Sequence, residues 1–176
     1  MRTAEEGDAA LWLELFTDPE VTRFLPPGPT PTPDMFPGIL ARRHAMERER
    51  GHAMWVVDVK ASGSPIGQCG LYPAASTGPE IELAYQYLPS AWGKGYATEA
   101  ATAVLRYGLG PVGLEQIIAL VIPQNLASSR VLDKAGMRLE ADPATYYELP
   151  GLRKYVAQRD WWRPPEITSR DGQELL

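Results

Sequence analysis

Gly93 and Gly95 flank a lysine in the stretch Ser90-Ala91-Trp92-Gly93-Lys94-Gly95, and alanine-rich sequence follows at once through Ala101. The chemistry this spacing offers is anion binding. Where a strand turns sharply into a helix, the first N–H groups of the helix lack intrahelical partners and the helix dipole gathers positive charge there. A phosphate is the natural guest of such a junction. Gly93 and Gly95 withdraw the side chains that would hold it off, and Lys94 adds a charge. An ordinary strand-to-helix turn is the competing reading of two glycines taken alone. Two common nucleotide loops do not fit. A dinucleotide fingerprint needs a glycine three beyond Gly95, where Thr98 stands, and a P-loop needs four residues between its glycines.

Other groups able to do chemistry are few. Glu80 and Glu82 lie in "EIELAYQYL" (80–88), two apart and so on one face of a strand. A carboxylate there can take a proton from an amine, or can simply be solvated. Asn125 and Ser128 open "NLASSRVLDKAG", where asparagine suits a helix N-cap and serine local backbone bonding. Cys69, the single cysteine, has no histidine near it in sequence and reads as a buried structural thiol. His44 and His52 offer no metal-ligand spacing, so no metal is expected.

Positioning these groups requires an α+β fold. Residues 7–18, with apolar positions 11, 12, 15 and 16, predict a helix that Asp8 is placed to cap. Prolines 26, 27, 29, 31, 33 and 37 then forbid a regular ladder, and a loop this long often borders a ligand. A second helix is expected over 34–50, begun by Asp34 and stopped by Gly51. Strands follow at 52–60, 66–72 and 80–88. In 96–109 the residues Ala97, Ala100, Ala101, Val104, Leu105 and Leu109 share one helical face. The continuously apolar run 115–122 predicts a buried strand, 126–136 a short helix closed by glycine, and 137–162 two strands around a turn. Tyr146, Tyr147, Trp161 and Trp162 sit near the ends of that last hairpin, where packing is the default and lining of a pocket the alternative.

Charge and composition narrow the function further. The net charge of −5 argues against nucleic acid as the main ligand. The densest basic stretch, "ARRHAMERER", alternates its arginines with glutamates and reads as a solvated helix face. No apolar run approaches the roughly 18–20 residues of a membrane helix. Acidic residues stand in "MRTAEEGDAA" where a secretory signal would carry bases, so a cytoplasmic location is expected.

The string "PSAWGKGYATEA" resembles the phosphate turn of the GNAT superfamily of acetyl-CoA-dependent N-acetyltransferases. The family signature is Gln/Arg-x-x-Gly-x-Gly/Ala, and Ser90 departs from its first position. That departure is similar to the branch holding ribosomal-protein N-terminal acetyltransferases and their small-molecule relatives. "NLASSRVLDKAGM" resembles the family's Asn-x-x-Ser/Ala…Lys-x-Gly-Phe helix, with Asn125 and Gly136 eleven apart. "TDPEVTRFLP" also looks like this branch, so the resemblance spans roughly residues 8–162.

The resemblance implies a mixed, mostly antiparallel central sheet flanked by about four helices, with a cleft between the fourth and fifth strands (80–88 and 115–122). The family's opening strand would be residues 1–4 at most, and a single domain over 1–162 would end in a loose tail at 163–176. Backbone groups of Tyr87 and Leu88 would pair with the pantetheine arm of coenzyme A. The N–H groups of Gly93, Lys94, Gly95, Tyr96, Ala97 and Thr98 would hold its pyrophosphate. Asn125 would bond the pantetheine amide, and Arg130 or Lys134 would reach toward the ribose phosphate. Glu82 is the expected base, with Glu80 and water as competitors. Many relatives protonate the leaving thiolate with a tyrosine where this chain has Leu132, and Ser128 takes that role in the branch it resembles. The implied activity is acetyl transfer from acetyl-CoA, without a metal, to a small-molecule amine or a peptide N-terminus, by a monomer or homodimer. A catalytically silent coenzyme A-binding module on the same fold is the alternative from another class.

Overall fold

In the computed structural model, which describes residues 1–26, 32–76, 78–146 and 148–165, the first helix α1 (Ala9–Thr17) turns Leu11, Trp12 and Leu15 inward. Asp8 precedes α1 but does not cap it with its side chain. Its carboxylate accepts instead from the Arg2 guanidinium at 2.8 and 2.7 Å and from the Glu5 amide at 2.7 Å. A four-residue helix not anticipated from the sequence, α2 (Pro19–Thr22), follows, with Asp18 accepting from the Glu20 N–H. Next, α3 (Phe36–Arg50) starts later than expected, because Asp34 lies in a single 3-10 turn (Pro33–Met35) and caps nothing. Gly51 ends α3 at φ 72°, the left-handed conformation that favours glycine. Of the proline-rich loop, residues 27–31 lie outside the described residues, as do 166–176 of the expected tail.

The alternating segments form β1 (Met54–Asp58), β2 (Pro65–Pro73) and β3 (Ile81–Tyr87), an antiparallel run. Then come α4 (Tyr96–Leu109), β4 (Gln116–Val121), α5 (Leu126–Lys134), β5 (Arg138–Tyr146) and β6 (Leu149–Gln158). The six strands stand in the order β1-β2-β3-β4-β6-β5. Only β3 and β4 run parallel, because α4 crosses over between them. The expected opening strand is reduced to a bridge: Arg2 and Val56 exchange backbone hydrogen bonds of 3.0 and 2.9 Å.

Side chains alternate across the sheet and divide the core in two. Cys69, Leu71, Leu83, Ile117 and Ala119 pack with Leu105 of α4 and Leu132 of α5. On the other side, Val56 packs with Leu11, Trp12 and Leu15 of α1 and with Phe36 and Leu40 of α3. Each large aliphatic side chain so buried contributes about 1.5–3 kcal/mol. This leaves the polar members of β3, Glu82 and Gln86, on the side of α1 and α3. What positions the site is the β3–β4 pairing. Glu82 opposite Ile118 is the one registered pair between them among the described residues, and beyond it the strands splay.

Candidate active site

Backbone register decides which edge of β3 borders the splay. The Leu88 N–H donates to the Ile66 carbonyl at 2.9 Å, and the ladder continues with Tyr87 opposite Gly67 and Gln86 opposite Gln68. Hydrogen-bonded and non-hydrogen-bonded pairs alternate in an antiparallel ladder. The backbone groups of Tyr85 and Tyr87 therefore point away from β2, toward the opening. Leu88, expected to pair with an extended ligand, has both groups engaged within the fold, its carbonyl accepting from the Ala91 N–H at 2.9 Å. Tyr85 takes its place on the open edge. The Tyr87 carbonyl also accepts from the Trp92 indole at 2.7 Å, which folds the turn back over the end of β3.

The glycine turn has the geometry an anion needs. Gly93 and Gly95 have φ of 72° and 91°, and a Cβ at either would meet no protein atom within 4 Å. The conformation favours glycine there, and the space beyond it is open. Gly95 starts α4 without a side-chain cap, so the first N–H groups of the helix face that space. Lys94 is exposed.

A cleft of about 500 Å³ runs from this turn along the splayed strands. Of the expected residues, Tyr87, Gly93, Gly95, Tyr96, Ala97, Thr98, Asn125, Ser128, Arg130 and Lys134 line it, whereas Leu88 and Lys94 do not. Asn125 caps α5, its Oδ1 accepting from the Ser128 N–H at 3.1 Å, and its side-chain nitrogen remains a donor. Ser128 carries a partner the sequence reading missed: the Tyr85 hydroxyl lies 2.8 Å from Ser128 Oγ and 3.2 Å from the Ser128 carbonyl. Burial pushes the Tyr85 phenol above its ordinary range, outweighing the bond to Ser128, so it stays protonated and can donate. The alternation of 80–88 already set Tyr85 on the face opposite Glu82, but not against Ser128. Leu132, where relatives often carry a tyrosine, is wholly buried in the core.

A second cavity, of about 110 Å³, adjoins the first at Phe24, Leu25, Tyr85, Gln86, Asn125 and Ser128. Glu82, 5% exposed, lines only this one, with Tyr72 beside it. Phe24 and Leu25, just ahead of the proline-rich loop, were missed as lining residues, although a ligand was expected to border that loop. Glu80 is committed elsewhere. It accepts from Lys154 at 2.8 Å and from the Tyr146 hydroxyl. Burial opposes its ionisation, but the bonds from Lys154 and Tyr146 outweigh this and hold its carboxyl below the usual range.

The other groups weighed from the sequence are structural. Burial pushes the Cys69 thiol up to about 12. His44 and His52 each meet a backbone carbonyl, of Ala4 and Leu71. The Trp162 indole donates to the Ala135 carbonyl at 3.0 Å inside the core, and the Arg138 guanidinium lies 4.0 Å from the Trp161 ring centre. Tyr147 lies outside the described residues.

Comparison with known proteins bears on the family and the fold. The family model described as "Acetyltransferase (GNAT) domain" matches residues 1–138. An uncharacterized protein of Bacillus subtilis, YkkB, is 32% identical over 148 residues, covering 78% of this chain and 80% of that one. An uncharacterized N-acetyltransferase of the same organism, YoaA, is 27% identical over 140 residues, covering 80% and 79%. Among solved structures, Mycobacterium smegmatis RimJ in complex with CoA-disulfide superposes with a TM-score of 0.76 at 22% identity, covering 93% of this chain and 83% of that one.

Proposed function

This chain belongs to the GNAT acetyltransferase family, and from that premise we propose that it moves an acetyl group from acetyl-CoA to a primary amine by direct attack while both are bound. The observation that carries the reading is the meeting of two cavities at Tyr85, Gln86, Asn125 and Ser128. One cavity ends in a glycine turn fit for a pyrophosphate, and the other holds a buried carboxylate. The RimJ likeness, with its coenzyme A disulfide, is in keeping with this use of the larger cleft.

In this reading the amides from Gly93 to Thr98 hold the pyrophosphate, and Arg130 or Lys134, both lining the cleft, reaches toward the ribose phosphate. The backbone edges of Tyr85 and Tyr87 pair with the pantetheine arm like a short extra strand. The side-chain nitrogen of Asn125 donates to an arm carbonyl while its oxygen caps α5. The acceptor enters through the smaller cavity. An α-amine, with a pKa of about 8, or a lysine, at about 10.4, arrives protonated at neutral pH and cannot attack. Glu82 removes that proton. The carbon–nitrogen bond then forms as the carbon–sulfur bond breaks, with the Tyr85 N–H on the open edge as donor to the acyl oxygen. Ser128 Oγ passes its proton to the departing sulfur and regains one from the attacking nitrogen, which sheds its second proton as the amide forms, and Tyr85, donating in turn to Ser128, leaves the serine proton free to move.

Thiol release by the purified protein, followed with acetyl-CoA and a panel of amines, amino acids and short peptides, tests the proposal. Release with at least one amine is expected. Binding of acetyl-CoA by calorimetry without release on any amine would establish the silent module instead.

A further inference from the structure

Arg43 was read from the sequence as part of a solvated helix face, but its guanidinium turns into the protein and donates to Gln68 Oε1 at 2.6 Å. Gln68 is 3% exposed, and its Nε2 donates to Gln86 Oε1. The direction of this chain is fixed by its first member. An arginine can only donate, so Gln68 must offer it the amide oxygen and must offer Gln86 the amide nitrogen. Gln86 is thereby forced to turn its oxygen toward Gln68 and its NH2 away. Neither amide is free to flip, although flips are ordinarily ambiguous. Gln86 lines both cavities where they meet, and its NH2 has no hydrogen-bond acceptor among the described residues. Gln86 and Glu82 project from the same face of β3, the side of α1 and α3.

Resting on the transferase reading above, we propose that Gln86 is a specificity residue that donates to a carbonyl or carboxylate oxygen of the acetyl acceptor. The acceptor class is then an α-aminoacyl compound, with an oxygen close to its amine, rather than a plain alkylamine or polyamine. A free amino acid and a peptide N-terminus share this chemistry. Arg43 and Gln68 are positioning residues: they touch no substrate and set which end of Gln86 the substrate meets. Burial lowers the Arg43 guanidinium to about 10, so it remains charged at neutral pH and polarises the chain toward donation.

The test compares kcat/KM, reckoned on the concentration of unprotonated amine so that differences in amine pKa cancel, for glycinamide, glycine and a glycine-initiated tripeptide with that for ethylamine. Wild type is expected to favour one or more of the oxygen-bearing acceptors at least tenfold, the scale of one hydrogen bond to a well-placed donor. A faster free amino acid would identify a metabolite-like acceptor, and a faster tripeptide a protein terminus. Gln86→Leu should shrink that ratio about tenfold, mainly through KM. The decisive variant is Gln68→Glu. A carboxylate there accepts from both Arg43 and Gln86, keeps the buried guanidinium paired, and reverses Gln86 so that its oxygen faces the acceptor. The preference should then be lost as fully as in Gln86→Leu, with acetyl-CoA affinity by calorimetry unchanged. A preference that survives Gln68→Glu in folded protein overturns the inference. So does a wild type that treats ethylamine and glycinamide alike, and that result leaves the transferase reading standing. A wild type that releases no thiol with any amine overturns both.

Discussion

The left-handed glycines at the turn allow the cost of backbone strain to be separated from the cost of losing an anion. Gly95 has φ 91° and open space where a Cβ would stand, so Gly95→Ala introduces no clash within the protein. It should cost only the left-handed penalty of an L-residue, about 1–2 kcal/mol. In a domain of this size that lowers the melting temperature by roughly 2–8 °C. Gly51→Ala is the control: φ is 72°, the nearest atom to the added Cβ is Val112 Cγ2 at 3.9 Å, and the position ends α3 away from the cleft. Its melting temperature should fall by a similar amount with acetyl-CoA affinity intact. Gly95→Asp has the same backbone cost and also brings a carboxylate to the turn. One unit charge about 5 Å from a phosphate charge, at an effective dielectric near 20, costs about 3 kcal/mol, a loss on the order of a hundredfold in affinity. Calorimetric titration of acetyl-CoA into the three variants, beside thermal unfolding of each, reads both quantities. An Asp variant that is folded and binds as wild type does would refute the pyrophosphate site. An affinity loss in Gly51→Ala as large as in Gly95→Asp would show that strain, not charge, governs binding.

Ser128→Ala should lower kcat by roughly ten- to a thousandfold with little change in acetyl-CoA affinity, the expected loss for one transition-state donor, and steady-state thiol release measures it. Tyr85→Phe should give a smaller fall in kcat, about tenfold, because it removes only the bond that orients Ser128. Glu82→Gln should depress turnover most near neutral pH and recover in part at high pH, where free amine is abundant; a rate that tracks wild type across the range assigns the proton to water. Asp8, bonded by Arg2 and the Glu5 amide, has its carboxyl held below the usual 3.8, chiefly by the Arg2 hydrogen bond, against the opposing pull of burial. Its contribution is therefore complete above pH 3.8 and lost as pH falls through the lower folded value. Asp8→Asn should cost about 1–3 kcal/mol at neutral pH, and denaturant unfolding should show the difference from wild type vanishing in strong acid.

Legibility in the sequence followed the range of the interactions. The glycine turn, the α5 cap at Asn125 and the alternation of β3 are local, and each could be read from neighbours a few residues away. Three features depended on contacts between distant parts of the chain. Tyr85 meets Ser128 across 43 residues, Glu80 meets Lys154 across 74, and Arg43 meets Gln68 across 25. Glu80 and Glu82 share a face in any strand, yet only the arrival of β6 distinguishes the structural carboxylate from the candidate base. The helical charge pattern of 41–50 is genuine, but it does not reveal that one arginine in it turns inward. Leu88 failed as a ligand-pairing residue for a related reason: odd and even positions of β3 face different neighbours, and the phase is set by the Ile66 bond.

The lone Glu82–Ile118 pair between β3 and β4 has a mechanical consequence. The strand order makes the sheet two leaves, β1-β2-β3 and β4-β6-β5, tacked together at one point of the ladder and otherwise held by the helices packed on them. Any breathing of the leaves pivots near that tack, so the aperture at the glycine turn changes most and the position of Glu82 least. The glycine-turn end of the cleft can widen to admit a long ligand while the carboxylate stays in place. A ligand laid along the β3 edge then acts as a missing strand, splinting the leaves and slowing amide exchange on both sides of the hinge together.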